Sequence, residues 1–154
     1  MRQATITDLD TVISLRLALV REHSNNPVYR RMRSDAPQRA RALYTAQLRS
    51  EHEAIFLALR ASVAVGILRV VESAGSVLLD PPRYGYLSSV YVAPNARRRG
   101  ILKALMSAAE DWCEARGLDE LRLHSASDNP LSNATWDALG FNVVEHVRIR
   151  PLKV

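Results

Sequence analysis

Apolar residues recur every three to four positions in three stretches of the chain, and this spacing predicts three helices. A fourth, short helix is predicted from its start at Asp128-Asn129-Pro130 and its stop at Gly140. The third stretch is the longest, and Gly117 directly after it is a good C-terminal stop. The predicted helices run from Leu9 to about His23, from Pro37 through Leu48, over Gly100–Arg116, and from Asp128 to Gly140.

Short apolar runs rich in β-branched residues, or runs that alternate with polar residues, predict the strands. Arg60–Ser62 is a short link between two of these runs and indicates an antiparallel hairpin. Val77–Leu79 is a further apolar run that could extend a strand from the loop Glu72–Arg83. The predicted strands are Arg2–Ile6, Ala54–Leu59, Val63–Val71, Tyr84–Val92, Leu121–Ala126, and one or two strands within Phe141–Leu152.

The order of these elements predicts the fold class. Hairpin-connected strands come first, and a strand–helix–strand crossover follows later in the chain. This order favours an α/β fold with a mixed, mostly antiparallel sheet of six to seven strands and helices on both faces. A length of 154 residues suits one domain, and we expect a single domain over residues 1–154.

Composition and charge narrow the possible partners. Cys113 is the single cysteine, so no disulfide forms within the chain, and we expect it to be a packing residue and not a nucleophile. No stretch approaches the ~18 apolar residues of a membrane span. The N-terminal segment lacks the apolar region of a signal peptide, so we expect a cytoplasmic protein without a membrane partner. The net charge of +5 favours an anionic partner, which nucleic acid, an acidic substrate or a phosphate-rich cofactor would all satisfy.

The segment Val90–Leu105 combines a strand end, a proline-marked turn, three arginines, and a glycine at the start of the longest helix. The first turn of a helix has unpaired N–H groups and a partial positive charge, so pyrophosphate often binds there. A glycine lets the backbone approach the phosphate, and the basic side chains add donors. The alternative is a solvated basic turn that only starts a helix. Neither the Walker pattern nor the Rossmann glycine pattern is present.

The same segment resembles motif A of the GNAT N-acetyltransferase superfamily, [RQ]-x-x-G-x-[GA] after a strand that ends in V-x-P. Arg97 and Gly100 match this motif, whereas Leu102 departs from it at the position of a small residue. Asn129 and Leu139–Phe141, with Trp136 between them, resemble motif B of the family. The resemblance implies the GNAT fold, whose sheet splays at the cofactor site, and an acyltransferase that uses acetyl-CoA.

The resemblance also implies which residues bind the cofactor. The backbone of the strand before motif A would pair with the pantetheine arm. The turn and the first helical residues would hold the pyrophosphate, and the motif B asparagine would contact pantetheine or orient the thioester. The implied set is Val90, Tyr91, Val92, Arg97, Arg98, Arg99, Gly100, Ile101, Leu102, Lys103 and Asn129.

In this family a neutral amine attacks the thioester directly, which requires a base for the amine and an acid for the thiolate. Trp136 occupies the position where many members have a tyrosine acid, and Ser88-Ser89 occupies the position of a glutamate base. Ser89 could order a water, and His124 beside the implied cleft is the candidate base. Tyr86 and Tyr91 are candidate acids. As alternatives, His124 faces outward from its strand and the tyrosines are packing residues.

The resemblance places the acceptor pocket at the first helix pair and the loop between them. Tyr29, Arg30, Arg31 and Arg33 in this loop could recognise a carboxylate or phosphate on the acceptor, in which case a cationic polyamine is a poor substrate. The alternative is a solvated basic loop.

The implied function is acetyl transfer to the amine of a small molecule or peptide. Two other functions stay open, namely a catalytically inert acyl-CoA-binding domain and a basic nucleic-acid-binding domain. No nucleic-acid-binding or metal motif supports the latter, so we expect neither nucleic acid nor metal. A homodimer through the last strand, Val143–Leu152, is a further expectation.

Overall fold

The structure, a computed structural model, describes residues Met1–Lys153. Its contacts group into two compact units, one from Met1 to His124 and the other from Ser125 onward. The first unit has short 3₁₀ turns at Ile6–Asp8 and Pro94–Ala96. The elements are β1 (Arg2–Gln3), α1 (Leu9–Glu22), α2 (Ala36–Arg49), β2 (Glu53–Arg60), β3 (Val63–Ala74), β4 (Arg83–Val92), α3 (Ile101–Glu114), β5 (Leu121–Leu123) and α4 (Pro130–Ala138).

The strands form one sheet in the order β1-β2-β3-β4-β5. The pairs β1–β2, β2–β3 and β3–β4 are antiparallel, and β5 runs parallel to β4 after the α3 crossover. The predicted hairpin is present, because Arg60 pairs with Val63 across a two-residue turn in which Ala61 and Ser62 both have positive φ. The mixed, mostly antiparallel sheet of the sequence analysis is therefore confirmed.

The number of strands differs from the prediction of six to seven, since five strands are present in Met1–Lys153. The stretch Phe141–Leu152 alternates as a strand would but forms none, and Val144 within it is 87% exposed. An isolated strand is not stable without a partner for its backbone groups, and pattern alone does not supply one. Val77–Leu79 likewise lies in an exposed turn and does not extend a strand.

Helices cover both faces of the sheet, as predicted. Leu57 and Ile67 are fully buried in a core cluster with Val12 of α1 and Tyr44 of α2. Gly66, the next residue to Ile67, faces the other way, and a Cβ built on it would lie 3.1–3.3 Å from side-chain atoms of Ile101, Leu105 and Ala58. Because neighbouring residues of a strand point to opposite faces, α1 and α2 lie on one face and α3 on the other.

The inner side of α3 is fully apolar, and Leu105, Met106, Ala109, Trp112 and Cys113 are all buried. Burial raises the pKa of the Cys113 thiol above its ordinary value. The side chain is 3% exposed and packs against β4, so Cys113 is a packing residue, as the sequence analysis expected.

We predict that Gly85→Ala destabilises the protein by about 1–3 kcal/mol, the usual cost of overpacking a close-packed core. A Cβ at residue 85 would lie 2.6 Å from Sγ of Cys113 and 2.8 Å from Cδ2 of Leu121, so α3 or β5 must shift. Urea unfolding measures the effect. Ser107→Ala, on the exposed side of α3, is the control and should stay within about 0.5 kcal/mol. An unchanged midpoint for Gly85→Ala would contradict this packing.

Candidate active site

Strand β4 contains a bulge at its centre. Ser88 pairs with Arg69 and Tyr91 pairs with Ile67, so Ser89 and Val90 together lie opposite the single residue between these partners. Ser89 has a φ of 58°, in the left-handed region. A bulge of this kind breaks the ladder locally and changes the direction of the backbone groups that follow.

The pairing between β4 and β5 ends just before this bulge. The last pair is Leu87 with Leu123, while β4 continues to Val92. Five residues of β4, which span about 17 Å at ~3.3 Å per residue, therefore lack a strand partner on this side among the described residues Met1–Lys153. Such an edge can receive an extended ligand through main-chain hydrogen bonds. It contains Val90, Tyr91 and Val92, for which the sequence analysis expects contact with pantetheine.

The turn from β4 into α3 presents unpaired donors. Gly100 is the N-cap of α3 with a φ of 76°, and no side chain caps this end of the helix. The N–H groups of the first turn, including those of Ile101, Leu102 and Lys103, have no intrahelical acceptors. A Cβ at Gly100 would meet no atom within 4 Å, so the space beside the helix start is open.

Three cationic side chains surround this helix start. Arg98, Arg99 and Lys103 are exposed and form no ion pair within Met1–Lys153. Arg98 has a φ of 60°, so the turn contains two left-handed residues before the helix begins. The positive helix end and these charges attract the same kind of ligand, an anion.

Arg97 has a different environment from its two neighbours. Its Nε donates to the carbonyl of Val92 at 2.8 Å, and its Nη2 donates to both carboxylate oxygens of Glu22 at 2.6 and 2.7 Å. Its guanidinium also lies 6.0 Å from the ring centroid of Tyr91. Arg97 thus connects the end of β4 with the last residue of α1, and these internal contacts hold the turn in place.

The candidate base and one candidate acid are in contact. The hydroxyl oxygen of Tyr86 lies 2.6 Å from Nδ1 of His124, and the two rings meet edge to face. Burial, together with the nearby phenols of Tyr29 and Tyr84, raises the pKa of Tyr86 above its usual value. His124 directly follows the last paired residue of β5 and is exposed, so the pair lies where β4 and β5 separate.

The other two proposed catalytic residues have different surroundings. Ser89 lies at the bulge, and its hydroxyl donates to the hydroxyl of Ser88 at 3.4 Å. Tyr91 packs against the core cluster of α1 and α2, beneath Arg97. Of the two tyrosines considered as acids, Tyr86 is the one with a polar partner on its hydroxyl.

Sequence reasoning did not find a largely buried ionic network next to Tyr86. Arg69 of β3 forms an ion pair with Glu53 of β2, and its Nη1 donates to the hydroxyl of Ser88 at 3.1 Å. Arg16 of α1 donates to the hydroxyl of Tyr44 at 3.2 Å, and burial lowers the pKa of Arg16. The only sequence signal was the presence of charged residues within otherwise apolar stretches.

The loop between α1 and α2 contains the predicted acceptor residues. Tyr29 is 44% exposed and its ring lies 5.6 Å from that of His23. Arg30 is exposed, whereas Nε of Arg33 donates to Asp35 at 2.8 Å. Arg33 is therefore occupied by a neighbouring carboxylate, and Arg30 is not.

In the second unit, Asn129 is the N-cap of α4, because its Oδ1 accepts from the backbone N–H of Ser132 at 3.0 Å. Trp136 stacks edge to face on Phe141, with ring centroids 5.7 Å apart. The two aromatic positions of motif B thus stabilise the end of α4. Contact of Asn129 with pantetheine stays a prediction.

The fold and the geometry of this site, in which two parallel strands separate before an uncapped helix start, are those of a class of α/β acyltransferases. The profile of the acetyltransferase (GNAT) family matches residues 19–141, which is most of the chain. The protein therefore belongs to the acetyltransferase (GNAT) family, and it is an acetyl-CoA-dependent N-acetyltransferase.

Several curated relatives are aminoglycoside acetyltransferases by name. The aminoglycoside N(6')-acetyltransferase type 1 of Salmonella typhimurium is 30% identical over 101 residues, which are 65% of this chain and 70% of that protein. The enzyme of the same name from Klebsiella aerogenes is 40% identical over 63 residues, which are 41% of each protein.

Solved structures agree in fold over nearly the whole chain. AAC(6')-Iy in complex with the bisubstrate analogue CoA-S-monomethyl-acetylneamine is 26% identical, with a TM-score of 0.77 and coverage of 99% of this chain and 97% of that one. A predicted acetyltransferase with acetyl-CoA from Clostridium acetobutylicum has a TM-score of 0.80 at 14% identity. The match covers 98% of this chain and 94% of that one. No helix within Met1–Lys153 is long and apolar enough to cross a membrane.

We predict that Gly100→Glu removes CoA binding while the fold persists, because a carboxylate at the helix start repels the phosphates. Thermal shift with CoA measures the binding, and duplex DNA should give no stabilisation. Gly117→Glu is a matched control, since Gly117 also has a positive φ of 66° and open space around it, but at the opposite end of α3. Normal CoA affinity in Gly100→Glu would contradict the placement of the pyrophosphate.

Proposed function

We propose that the protein transfers the acetyl group of acetyl-CoA to a small-molecule amine by direct attack at the bulge of β4. The observation that carries this proposal is the change at Leu87, where β4 loses its neighbour β5, passes through the bulge at Ser89, and then leads into the cationic turn. An extended thioester ligand with an anionic end needs these features in this order.

The cofactor would bind along the unpaired edge of β4. Main-chain groups of Val90, Tyr91 and Val92 would pair with the amides of pantetheine, as an added strand pairs with a sheet edge. The pyrophosphate would bind the N–H groups of the first turn of α3 and the side chains of Arg98, Arg99 and Lys103. Arg97 would hold the turn in position through Glu22 and the Val92 carbonyl.

The bulge would also stabilise the oxyanion. A carbonyl oxygen that becomes negative in the transition state gains most from N–H donors that are already oriented. The bulge at Ser89 and Val90 releases backbone groups from the ladder at the strand centre, where the thioester would lie. Ser89 could in addition order a water molecule for the incoming amine.

Proton transfer would rest on His124 with Tyr86. An ammonium group must lose a proton before it can attack, and His124 is exposed beside the bulge and able to receive it. With Nδ1–H of His124 donating to the phenolic oxygen of Tyr86, Nε2 would be free to take the proton of the ammonium. The imidazolium would then return a proton through Nδ1 to the phenol as the phenol gives its own to the departing thiolate. This pair would supply the roles for which the chain lacks the usual glutamate and tyrosine.

The acceptor would be the amine of a small molecule, as the names of the curated relatives suggest. A peptide amine is the second candidate acceptor, and the cytoplasm is the proposed location.

Release of CoA thiol from acetyl-CoA, measured across amino acids, aminoglycosides, polyamines and peptides, tests the function. No release above background with any of them would favour the inert acyl-CoA-binding alternative.

We predict that His124→Ala lowers kcat/KM for the amine by about 10²-fold, the lower end of the usual effect of a general base, with an unchanged KM for acetyl-CoA. Added imidazole should restore part of the rate. Tyr86→Phe keeps the ring contact and removes only the hydroxyl, so its kcat/KM for the amine should fall less than that of His124→Ala. His52→Ala, an exposed histidine in the turn before β2, is the control. Unchanged turnover in His124→Ala would show that His124 is only an exposed residue after β5 without a role in proton transfer.

We further propose that the protein forms a homodimer through 143–152. Val143 and Val147 are 70% and 72% exposed and lie four residues apart, so they would face the same side of a strand that pairs with a second copy. Val147→Lys should shift sedimentation toward the monomer. Val77→Lys, at a 98% exposed loop valine, should not. A wild-type protein that is monomeric at every concentration would overturn this proposal.

A further inference from the structure

The positive charge of the protein is concentrated in one part of the first unit. Seven arginines and two carboxylates fall between Arg21 and Arg49, an excess of five that equals the net charge of the whole chain. This segment comprises the end of α1, the loop from His23 to Asp35, and α2. The rest of the protein is therefore neutral in sum, and the charge belongs to the region that would receive the acceptor.

Both carboxylates of this segment are already bound by arginines. Glu22 accepts two hydrogen bonds from Arg97, and Asp35 accepts from Arg33 at 2.8 Å and from Arg39 at 2.6 Å. Hydrogen bonds from Arg33 and Arg39 lower the pKa of Asp35, so it stays ionised and paired.

Carboxylates of the neighbouring elements are also paired. On the sheet face covered by α1 and α2, Glu53 is bound by Arg69. On α1, Asp10 is bound by Arg41. These carboxylates are therefore not available to attract a cationic acceptor to this side of the first unit.

Arg30 and Arg31 differ from the arginines that make these pairs. Both are exposed, and neither forms an ion pair with any residue from Met1 to Lys153. They lie between two fixed points, because Glu22 attaches the start of the loop to Arg97 and Asp35 fixes its end at the start of α2. Two uncompensated guanidinium groups are thus held in one short loop.

The loop is connected to the strand that carries Tyr86. Arg97, after the end of β4, binds Glu22, the last residue of α1 before the loop, and Tyr29 in the loop is among the groups that raise the pKa of Tyr86. Tyr86 contacts His124. We therefore expect an amine positioned at His124 to direct its other substituents toward the loop that contains Arg30 and Arg31.

We propose that the acceptor is an amine that also carries an anionic group, a carboxylate or a phosphate, which Arg30 and Arg31 bind, and that polycationic aminoglycosides are poor acceptors. This inference rests on the proposed function. It assigns the protein a different class of acceptor from the one in the names of the aminoglycoside acetyltransferases to which it is similar. A guanidinium group binds carboxylate or phosphate through paired N–H donors. The same two charges repel a polycation, for which the surrounding carboxylates offer no compensation.

The test compares three acceptors that share a primary amine. These are 4-(aminomethyl)benzoate, its carboxamide 4-(aminomethyl)benzamide, and kanamycin as the polycation. We expect kcat/KM for the benzoate to exceed that for the benzamide by about tenfold or more, as one charge-assisted hydrogen bond would give, and to be lowest for kanamycin. In the double variant Arg30→Gln/Arg31→Gln the ratio of benzoate to benzamide should fall toward one, with an unchanged KM for acetyl-CoA.

Arg49→Gln is the matched control. It removes the same charge from an exposed position at the far end of α2, about 20 Å along the helix from the loop, and should leave the ratio unchanged. Kanamycin as the preferred acceptor, or an unchanged ratio in the double variant, would overturn the inference. A higher KM for acetyl-CoA in the double variant would overturn it too, because the arginines would then bind the cofactor. Absence of thiol release with all three amines would contradict the proposed function itself.

Discussion

The active site depends on one constraint, namely that β4 extends five residues beyond its last pair with the parallel strand β5. A parallel strand pair that continued past Leu87 would bury the donors and acceptors of β4 in the sheet and leave no edge for a ligand. The short β5 and the bulge at Ser89 prevent this, and both act at the same point along the strand. The Tyr86–His124 pair then lies where the unpaired edge begins, and the basic turn and the open helix start follow its end.

The sequence predicted the parts of this arrangement that are local. The turn from Val92 to Gly100 could be located because its proline, arginines and glycine are consecutive. The contacts that hold it could not, since Glu22 and Arg97 are 75 residues apart and no periodic pattern connects them. The bulge was also hidden, because it is defined by the register against β3 and not by the residues of β4 alone. Phe141–Leu152 shows the converse error, in which a clear alternation lacked the partner that a strand requires.

The three arginines of the turn illustrate how similar residues acquire different roles. Arg98 and Arg99 keep their charge exposed, where it can attract an anion. Arg97 donates to a main-chain carbonyl and to a carboxylate. It therefore fixes the turn that positions Arg98 and Arg99. A lysine at this position would have to reach both partners from a single nitrogen, because it lacks the fixed fork of donors that a guanidinium provides. Sequence similarity alone would assign all three the same function.

The burial of Cys113 has a practical consequence for the study of this enzyme. It is the only thiol of the chain, it is 3% exposed, and its burial disfavours the reactive thiolate. A colorimetric reagent that titrates free sulfhydryls will therefore respond to the coenzyme product and hardly to the folded catalyst. Conversely, a slow rise in that colour in the absence of acetyl-CoA would report that α3 has separated from the sheet.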